Sequence, residues 1–433
     1  MKKTYGEYKK TGLQWLPKIP AHWEWSFLSQ VATEKKTKKP KNIMFPVMSL
    51  SYGQIIQKKN INTGLVPNNY DNYQLVSKGD IILRFTDLQN DHTSLRTGLV
   101  KEKGIITSAY TNIRPRIYSS FLAYLLHSYD TLKIFYGLGG GVRQSIGFKD
   151  VRYLQLPVPP RSEQEQIVRF LDWKVSSINK LLNIKQQEIA ELKELKKASI
   201  QEAVTHGINK NVPMKNSGIA WLGKIPKHWE MNFLSQISTE QKIKKPKNEM
   251  FPIMSLSYGQ IIRKKNIDAG LVPTTYDNYQ MVYAGNIILR FTDLQNDHTS
   301  LRSGLVKEEG IITSAYTNLK PAINSSFLSY LLHSYDNMKV FYGLGGGVRQ
   351  SIGFKDVRYL SFPIPPSLEQ EQIASFLDTQ CLEIDRLIEA KQAQITDLHD
   401  LKSSLIANVV TGQIDVRNVT IPDYETVEEL VHS

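Results

Sequence analysis

Three kinds of hydrophobic pattern occur along the chain. A polar-bounded apolar stretch, "GDIIL" at 79–83, predicts a short buried strand. Further on, apolar residues return at helical spacing and predict a helix that glycines at 137–141 bring to an end, because glycine adopts positive φ at no steric cost. The apolar positions of that helix are Phe121, Leu122, Leu125, Leu126, Leu132 and Phe135.

A third pattern covers 161–206, where apolar residues are spaced by 4, 3, 4, 7 and 3 positions. This heptad spacing predicts one long helix with a coiled-coil seam, whereas an ordinary surface helix is the alternative. The predicted seam residues are Leu171, Val175, Ile178, Leu182, Ile189 and Leu192, and a second run has Leu377, Cys381, Ile384, Ile388, Ile395 and Leu398. Lysines interrupt both runs, at Lys185 and Lys196 in the first.

The second run is part of an internal repeat that organises the whole chain. A shift of 206 positions matches 12–160 to 218–366 without a gap, and 115 of 149 residues are identical. The following helices, 161–206 and 367–412, share 19 of 46 residues. The twenty residues "FYGLGGGVRQSIGFKDVRYL" occur twice without a change, at 135–154 and 341–360. The chain is therefore module, helix, module, helix, and the helices have diverged more than the modules.

This arrangement predicts an α+β protein with two tandem mixed α/β domains. A long antiparallel two-helix coiled coil separates them, because a short linker after the first helix lets the second helix return alongside it, and a pseudo-two-fold axis would relate the halves. The predicted divisions are a first domain at 1–160, a central helix at 161–206, a second domain at 207–366, a C-terminal helix at 367–412 and a tail at 413–433. At 1.5 Å per residue, each helix would be about 60 Å long.

Composition narrows the possible partners. The 433 residues have a formal charge of +13 and a pI near 9.4, which favours a polyanionic partner. No apolar run is long enough to span a membrane, the N-terminus lacks the apolar segment of a signal peptide, and a single cysteine excludes internal disulfides. We therefore expect a cytoplasmic protein. Gly137, Gly139, Gly140 and Gly141 lack the spacing of a nucleotide-binding loop.

Several short motifs occur twice and in the same order. "WLGKIPKHWE" at 221–230 matches "WLPKIPAHWE" at 15–24, "GDI" stands at 79–81, and a Pro-Pro-x-x-Glu-Gln-x-x-Ile helix start stands at 159–167 and 365–373. The second "GDI" copy has Asn286 in place of the aspartate. Over 12–417 the chain resembles the specificity subunits of type I restriction–modification systems.

The resemblance implies a non-catalytic adaptor that binds double-stranded DNA through two target-recognition domains. It implies that the helices bind two methyltransferase subunits, with two restriction (translocase–nuclease) subunits joining them. No cofactor is then expected in this chain, since S-adenosylmethionine and ATP would bind to the partner subunits. The sequence accordingly lacks an aminomethylase Asn/Asp-Pro-Pro-Tyr/Phe motif and a Walker lysine.

Polar and basic side chains read base edges and hold phosphates, so the densest polar segment is the first DNA-binding candidate. This is "RFTDLQNDHTSLR", which occurs at 84–96 and again at 290–302; a solvated loop is the alternative. Its candidate residues are Arg84, Gln89, Asn90, His92, Thr93, Ser94 and Arg96, matched by Arg290, Gln295, Asn296, His298, Thr299, Ser300 and Arg302.

Two further segments are candidates for DNA contacts. Arg143 and Gln144 follow the glycines and recur as Arg349 and Gln350, although a structural turn that seats the module on its helix would need the same sequence. In "SYGQIIQKKN", Lys58 and Lys59 lie near Tyr52 and Gln54, and the matching lysines are Lys264 and Lys265.

Two alternatives to the adaptor stay open at this point. A duplicated autonomous nuclease would cleave DNA with a divalent metal and no partner. A structural coiled-coil protein with two carbohydrate- or protein-binding modules would have no salt-dependent affinity for DNA. If the adaptor interpretation holds, two near-identical modules read the same short word, and the DNA site is an interrupted palindrome.

Overall fold

The structure is a computed structural model that describes residues 3–40, 43–58, 70–86, 91, 95–137, 146–246, 249–264, 276, 278–292, 294, 297, 300–344 and 352–430. The chain divides into two compact units. Unit 1 consists of Met1–Gln187 and Gln392–Ser433, and unit 2 consists of Glu188–Lys391. None of the described helices has the length and hydrophobicity of a membrane-spanning segment.

Unit 1 contains short strands and helices followed by a 46-residue helix that continues into unit 2. In chain order its elements are β1 (Tyr8–Leu13), β2 (Leu16–Pro20), β3 (Glu24–Phe27), α1 (Leu28–Val31), β4 (Ala32–Glu34), β5 (Met48–Ser51), β6 (Gln54–Gln57), β7 (Tyr73–Val76), β8 (Ile81–Leu83), β9 (Thr97–Leu99), β10 (Gly104–Thr107), β11 (Thr111–Pro115), α2 (Ser119–Thr131), a 3₁₀ helix (Ile134–Gly137), α3 (Phe148–Val151), β12 (Gln155–Val158) and α4 (Arg161–His206).

Unit 2 repeats this order of elements and ends in a 44-residue helix that returns into unit 1. Its elements are β13 (Met214–Asn216), β14 (Lys224–Pro226), β15 (Glu230–Phe233), α5 (Leu234–Ile237), β16 (Ser238–Gln241), β17 (Met254–Ser257), β18 (Gln260–Arg263), β19 (Tyr279–Val282), β20 (Ile287–Leu289), β21 (Ser303–Leu305), β22 (Gly310–Thr313), β23 (Thr317–Pro321), α6 (Ser325–Asn337), a 3₁₀ helix (Val340–Gly343), α7 (Phe354–Val357), β24 (Ser361–Ile364) and α8 (Ser367–Val410).

The centre of unit 1 is a sheet with strand order β4-β11-β8-β9. Strand β8 is buried on both faces, as its continuous apolar sequence requires. Ile81 and Leu83 pack into a core with helix α2, whereas Ile82 packs into a second cluster with Met48 and Val76. In unit 2 the equivalent sheet also includes the β17–β18 hairpin, because Gln260 pairs with Leu305.

Helix α2 ends earlier than the apolar pattern predicts. It stops at Thr131, and Lys133 then adopts a left-handed conformation with φ 59°. Leu132 is therefore 45% exposed, while Phe135 reaches the core from the 3₁₀ helix that follows. Gly139, Gly140 and Gly141 lie outside the described residues.

The two long helices pack against each other within each unit. In unit 1 the start of α4 and the end of α8 share a core, through Leu171 and Val410 among others. In unit 2, Lys196 contacts Asp385 at 2.7 Å and Lys391 contacts Glu188 at 2.7 Å. Residue numbers rise on one helix as they fall on the other, so the helices are antiparallel. All twelve predicted seam residues are buried or half-buried.

The C-terminal tail of unit 1 packs along α4. Ser176 accepts a hydrogen bond from the backbone N–H of Val427 at 2.7 Å, and Asn183 accepts one from Leu430 at 2.9 Å. The side chain of Lys402 contacts Glu429 at 2.7 Å. The segment predicted as a C-terminal tail, 413–433, is part of unit 1.

Candidate DNA-reading loops

The first polar candidate segment is the connection of a β-hairpin in the central sheet. Strands β8 and β9 are antiparallel, with Leu83 opposite Thr97, and residues 84–96 join them. In unit 2 the same connection, 290–302, joins β20 and β21, with Leu289 opposite Ser303. A hairpin connection of thirteen residues is unusually long, since most have two to five, and long loops of this kind often carry function.

An arginine closes the base of this loop from inside the protein. The Arg96 side chain is fully buried; it donates to the carbonyl oxygen of Thr86 at 2.5 Å and also to that of Asp91. Its backbone N–H donates to the carboxylate of Asp130 on helix α2. The guanidinium also lies over the ring of Tyr136, 5.9 Å from the centroid. The loop is thus attached to the sheet, to the helix and to the 3₁₀ helix through one residue.

Two arginines lie close to the carboxylate of Asp91. Arg84 contacts Asp91 Oδ2 at 2.7 Å, and the nearest guanidinium nitrogen of Arg96 lies 3.7 Å from the same oxygen. Arg84 and Asp91 are about one-fifth exposed, so this group lies at the edge of the protein interior. We call Arg84, Asp91 and Arg96 the loop base. It holds the two ends of the loop at a fixed separation.

The loop base recurs in unit 2 with nearly identical geometry. Arg290 contacts Asp297 at 2.8 Å, and Arg302 lies 3.7 Å from it. Arg302 is buried, donates its guanidinium to the carbonyl oxygen of Thr292 at 2.9 Å, and donates its backbone N–H to Asp336 Oδ2 at 2.5 Å. Two arrangements of the same kind, built from matching residues, indicate a shared requirement for this loop geometry.

Burial controls the protonation of the helix carboxylates below the loops. It raises the pKa of Asp130 to about 6, partly opposed by the hydrogen bond from the Arg96 backbone. The pKa of Asp336 is raised to about 6 for the same reason. Both aspartates lie within apolar helices and are almost fully buried. A proton on either one weakens the attachment of the loop only slightly, because the protonated carboxyl can still accept from the N–H.

Two of the predicted DNA-contact residues are buried in this structure. Arg96 and Arg302 have fully buried side chains that are bound to loop carbonyls, so a direct DNA contact by either does not fit this structure. Both arginines connect the loop to the helix that packs on the sheet. Composition alone does not distinguish buried from exposed arginines in such a polar, basic segment.

The other described candidates are more accessible. Arg84 and Arg290 keep 23% of their side-chain surface, and Lys58 and Lys264 are exposed at the ends of strands β6 and β18. Ser300 donates its backbone N–H to Asp297 Oδ1 at 2.9 Å. The remaining candidates lie outside the described residues: Gln89, Asn90, His92, Thr93, Ser94, Lys59, Arg143, Gln144, Lys265, Gln295, Asn296, His298, Thr299, Arg349 and Gln350.

The residues that sequence reasoning missed are those that hold the loop. Asp91 and Asp297 are acidic residues inside a basic segment, and Asp130 and Asp336 interrupt apolar helices. An acidic residue in such a position is a recognisable signal for an internal arginine partner. Among the described residues, no group of three or more His, Cys, Asp or Glu side chains is arranged to hold a metal ion.

The comparisons with known proteins decide the family. A family model described as the type I restriction modification DNA specificity domain matches residues 20–194 and 307–397, which is more than half of the chain. The chain belongs to this family. The resemblance seen in the repeated motifs is therefore confirmed, and the protein is a specificity subunit of the type I restriction–modification class.

Curated relatives agree with this assignment. The chain is 27% identical over 307 residues to the putative type I restriction enzyme MjaX specificity subunit of Methanocaldococcus jannaschii, covering 69% of this chain and 68% of that protein. It is 24% identical over 365 residues to the MjaVIII specificity subunit of the same organism, covering 80% and 81%.

A solved structure shares the fold. It comes from work on complex assembly and conformational transition of the type I restriction–modification system, and it aligns with a TM-score of 0.67 at 16% identity, over 92% of this chain and 99% of that chain. The predicted fold of two tandem α/β domains with long packed helices is thereby confirmed.

Proposed function

We propose that this specificity subunit reads duplex DNA with the two loops at 84–96 and 290–302. The observation that carries the proposal is the loop base, which is built twice with ion-pair distances that agree within 0.1 Å in Arg84–Asp91 and Arg290–Asp297. A loop whose ends are fixed loses less conformational freedom on binding. Its polar side chains are of the types that make base-edge contacts.

The target we propose is a short word read twice. The loops have the same thirteen residues, so the units are expected to prefer the same bases. With inverted half-sites the target is a palindrome interrupted by unread bases. If both half-sites face the same side of the duplex, their centres lie about one helical turn apart, roughly 10 base pairs.

The long helices are the proposed binding surface for two methyltransferase subunits. Two pairs of leucines at matched places on α4 and α8 are about half exposed: Leu181 with Leu387, and Leu195 with Leu401. The shift of 206 positions relates Leu181 to Leu387 and Leu195 to Leu401. Exposed apolar side chains at matched places fit two copies of one protein partner.

In this proposal the chain is an adaptor without catalytic residues of its own. Methyl transfer, with S-adenosylmethionine, takes place on the methyltransferase subunits. ATP-driven translocation and cleavage belong to two restriction subunits that join the complex.

DNA reading is tested by changing one loop at a time. Gln89→Ala with Asn90→Ala alters unit 1, and Gln295→Ala with Asn296→Ala alters unit 2. Each pair is expected to cost about 1–3 kcal/mol in discrimination per lost bidentate contact, confined to one half-site. The unaltered unit is the internal control, and methylation-sensitive sequencing identifies the word that each unit reads. Unchanged discrimination with both loops altered would contradict the proposal.

Subunit binding is tested by the mass of the co-expressed complex. Leu181→Glu with Leu387→Glu should reduce the number of methyltransferase chains bound, since a charge would be buried in an apolar contact. DNA affinity of the isolated variant should be retained, which controls for folding. A wild-type chain that stays monomeric when it is co-expressed with its methyltransferase would contradict this part of the proposal.

A further inference from the structure

The hairpin β5–β6 contains a tyrosine in a conformation that tyrosine rarely adopts. Ser51 pairs with Gln54, so Tyr52 and Gly53 form a two-residue turn, and their φ angles are 45° and 79°. Positive φ at both positions defines a type I′ turn, for which Asn-Gly or Gly-Gly is the favoured sequence. A tyrosine there costs conformational energy, because its Cβ crowds the backbone.

Unit 2 has the same turn. Tyr258 has φ 46° and Gly259 has φ 79°. The tyrosines are 63% and 78% exposed, and among the described residues neither ring takes part in a hydrogen bond, an ion pair or a ring contact. Folding alone therefore gives no reason for an aromatic side chain at this position in either unit.

A second pair of strained residues shows the difference. Lys133 and Lys339 also have positive φ, at 59° and 60°. Each lies over a tyrosine ring, with Nζ 4.9 Å and 4.6 Å from the centroids of Tyr136 and Tyr342. Those rings pack beside the loop base, so the strained lysines have a structural role, whereas Tyr52 and Tyr258 have no equivalent contact among the described residues.

The tyrosine turn lies against the DNA-reading loop. A methyl group at Gly53 would come within 3.2 Å of Leu95 Cβ, the residue next to Arg96 of the loop base, and within 3.2 Å of His127. In unit 2 the corresponding group at Gly259 would lie 3.1 Å from Leu301 Cβ. The position after the tyrosine must therefore be glycine, and the turn is fixed beside the root of the loop with its tyrosine ring pointing into solvent.

We infer that Tyr52 and Tyr258 are DNA-backbone contacts, with the hydroxyl donating to a phosphate oxygen and the ring packing on the adjacent deoxyribose. This rests on the proposed function of the neighbouring loops. Tyrosine is among the side chains that bind phosphate and sugar, and such contacts fix the position of a protein on the duplex without reading its sequence. The exposed Lys58 at the far end of strand β6 adds a positive charge on the same hairpin.

The test removes both rings from the full-length chain. In Tyr52→Gly with Tyr258→Gly the turn becomes Gly-Gly, which suits positive φ, so the unfolding midpoint should be retained. Dissociation constants are measured for two duplexes of equal length. One contains the sequence word that methylation-sensitive sequencing identifies, and the other has a scrambled sequence. Both should rise by a similar factor, about 3- to 30-fold for two lost contacts of ordinary strength. The Tyr→Phe pair should give an intermediate loss.

Three other results contradict the inference, each in a distinct way, and a fourth contradicts the proposed function on which it rests. Unchanged affinity would show that the rings do not touch DNA. A loss confined to the methylated word would assign them to base reading. A fall in the unfolding midpoint of several degrees would show that the rings support the fold. If the wild-type chain fails to distinguish the two duplexes, the proposed function of the loops fails independently of the tyrosines.

Discussion

The two units agree at the loop base and differ at the opposite end of strands β8 and β20, where Asp80 and Asn286 stand. In unit 1 the buried Asp80 lies between two cations, with Lys35 Nζ at 3.1 Å and Arg114 Nε at 2.7 Å. In unit 2 the matching residues are Asn286, Gln241 and Lys320, and Asn286 accepts a hydrogen bond from the Tyr283 backbone at 2.9 Å. The three charged residues of unit 1 therefore correspond, in unit 2, to two neutral residues and one lysine.

The contrast separates what the loops require from what the fold merely tolerates. Both Asp80 and Asn286 accept the backbone N–H three residues before them, so each closes the same turn. The turn needs an oxygen acceptor, and it does not need a charge if the neighbouring cations change too. The loop base, however, keeps both arginines and the aspartate in both units.

The largest effect is expected at the loop base. Arg96→Met and, separately, Arg302→Met remove a buried guanidinium and leave loop carbonyls without donors. Loss of one partner from a buried charged group typically costs about 3–5 kcal/mol. Urea unfolding should give similar losses for the two variants, and site-specific DNA binding should be lost in parallel. A loss below about 1 kcal/mol would show that the guanidinium does not hold the loop.

The next effect tests the exchange of charge at the start of strand β8. Asp80→Asn leaves Lys35 and Arg114 facing each other without a carboxylate, and because both are partly solvated we expect a loss of about 1–3 kcal/mol. The triple change Lys35→Gln, Asp80→Asn and Arg114→Lys reproduces unit 2 and should recover most of that loss. Chemical unfolding measures both. A triple variant no more stable than the single one would show that the three positions are independent.

The helix aspartate gives a smaller effect that depends on pH. The folded pKa of Asp130 is about 6 and its ordinary value is 3.8, so the native state holds the proton more tightly than the unfolded state. This group therefore contributes stability below about pH 4, and that contribution disappears as the pH rises through about 6. Asp130→Asn keeps an acceptor for the Arg96 N–H and should remove this component.

The matched experiment compares unfolding free energies of wild type and Asp130→Asn between pH 4 and 7. The difference between them should shift in favour of the variant as the pH rises. Asp130→Ala should cost about 1–3 kcal/mol at neutral pH, since it leaves a buried N–H unsatisfied. A pH-independent difference between wild type and Asp130→Asn would contradict the raised pKa.

The smallest effect concerns a residue at which the units differ on the surface. Arg263 replaces Gln57 and forms two hydrogen bonds with Glu308, at 2.6 Å and 2.5 Å. Because this guanidinium is already occupied, we expect Arg263→Gln to leave the DNA word unchanged. A changed base in the half-site of unit 2, seen by methylation-sensitive sequencing, would show that Arg263 reads DNA.

Sequence patterns predicted the parts of the fold that depend on periodicity. The strand at 81–83 and the two long helices follow from the positions of their apolar residues, which are set by the buried faces of each element. The repeat follows from the match at a shift of 206 positions. The end of helix α2 did not follow, because a left-handed lysine stops it before the glycines. Nor did the buried state of Arg96, since it depends on Asp91, Asp130 and Tyr136, which reach it from different elements.

The measurement that tests the central claim most directly is the methylated motif in host DNA, determined by methylation-sensitive sequencing with and without this gene. Two units with identical loops and equal loop bases should read one short word twice, in inverted orientation, around a stretch of unread bases. Two unrelated half-sites would contradict the claim that these loops read the DNA, and half-sites in direct repeat would contradict the inverted arrangement.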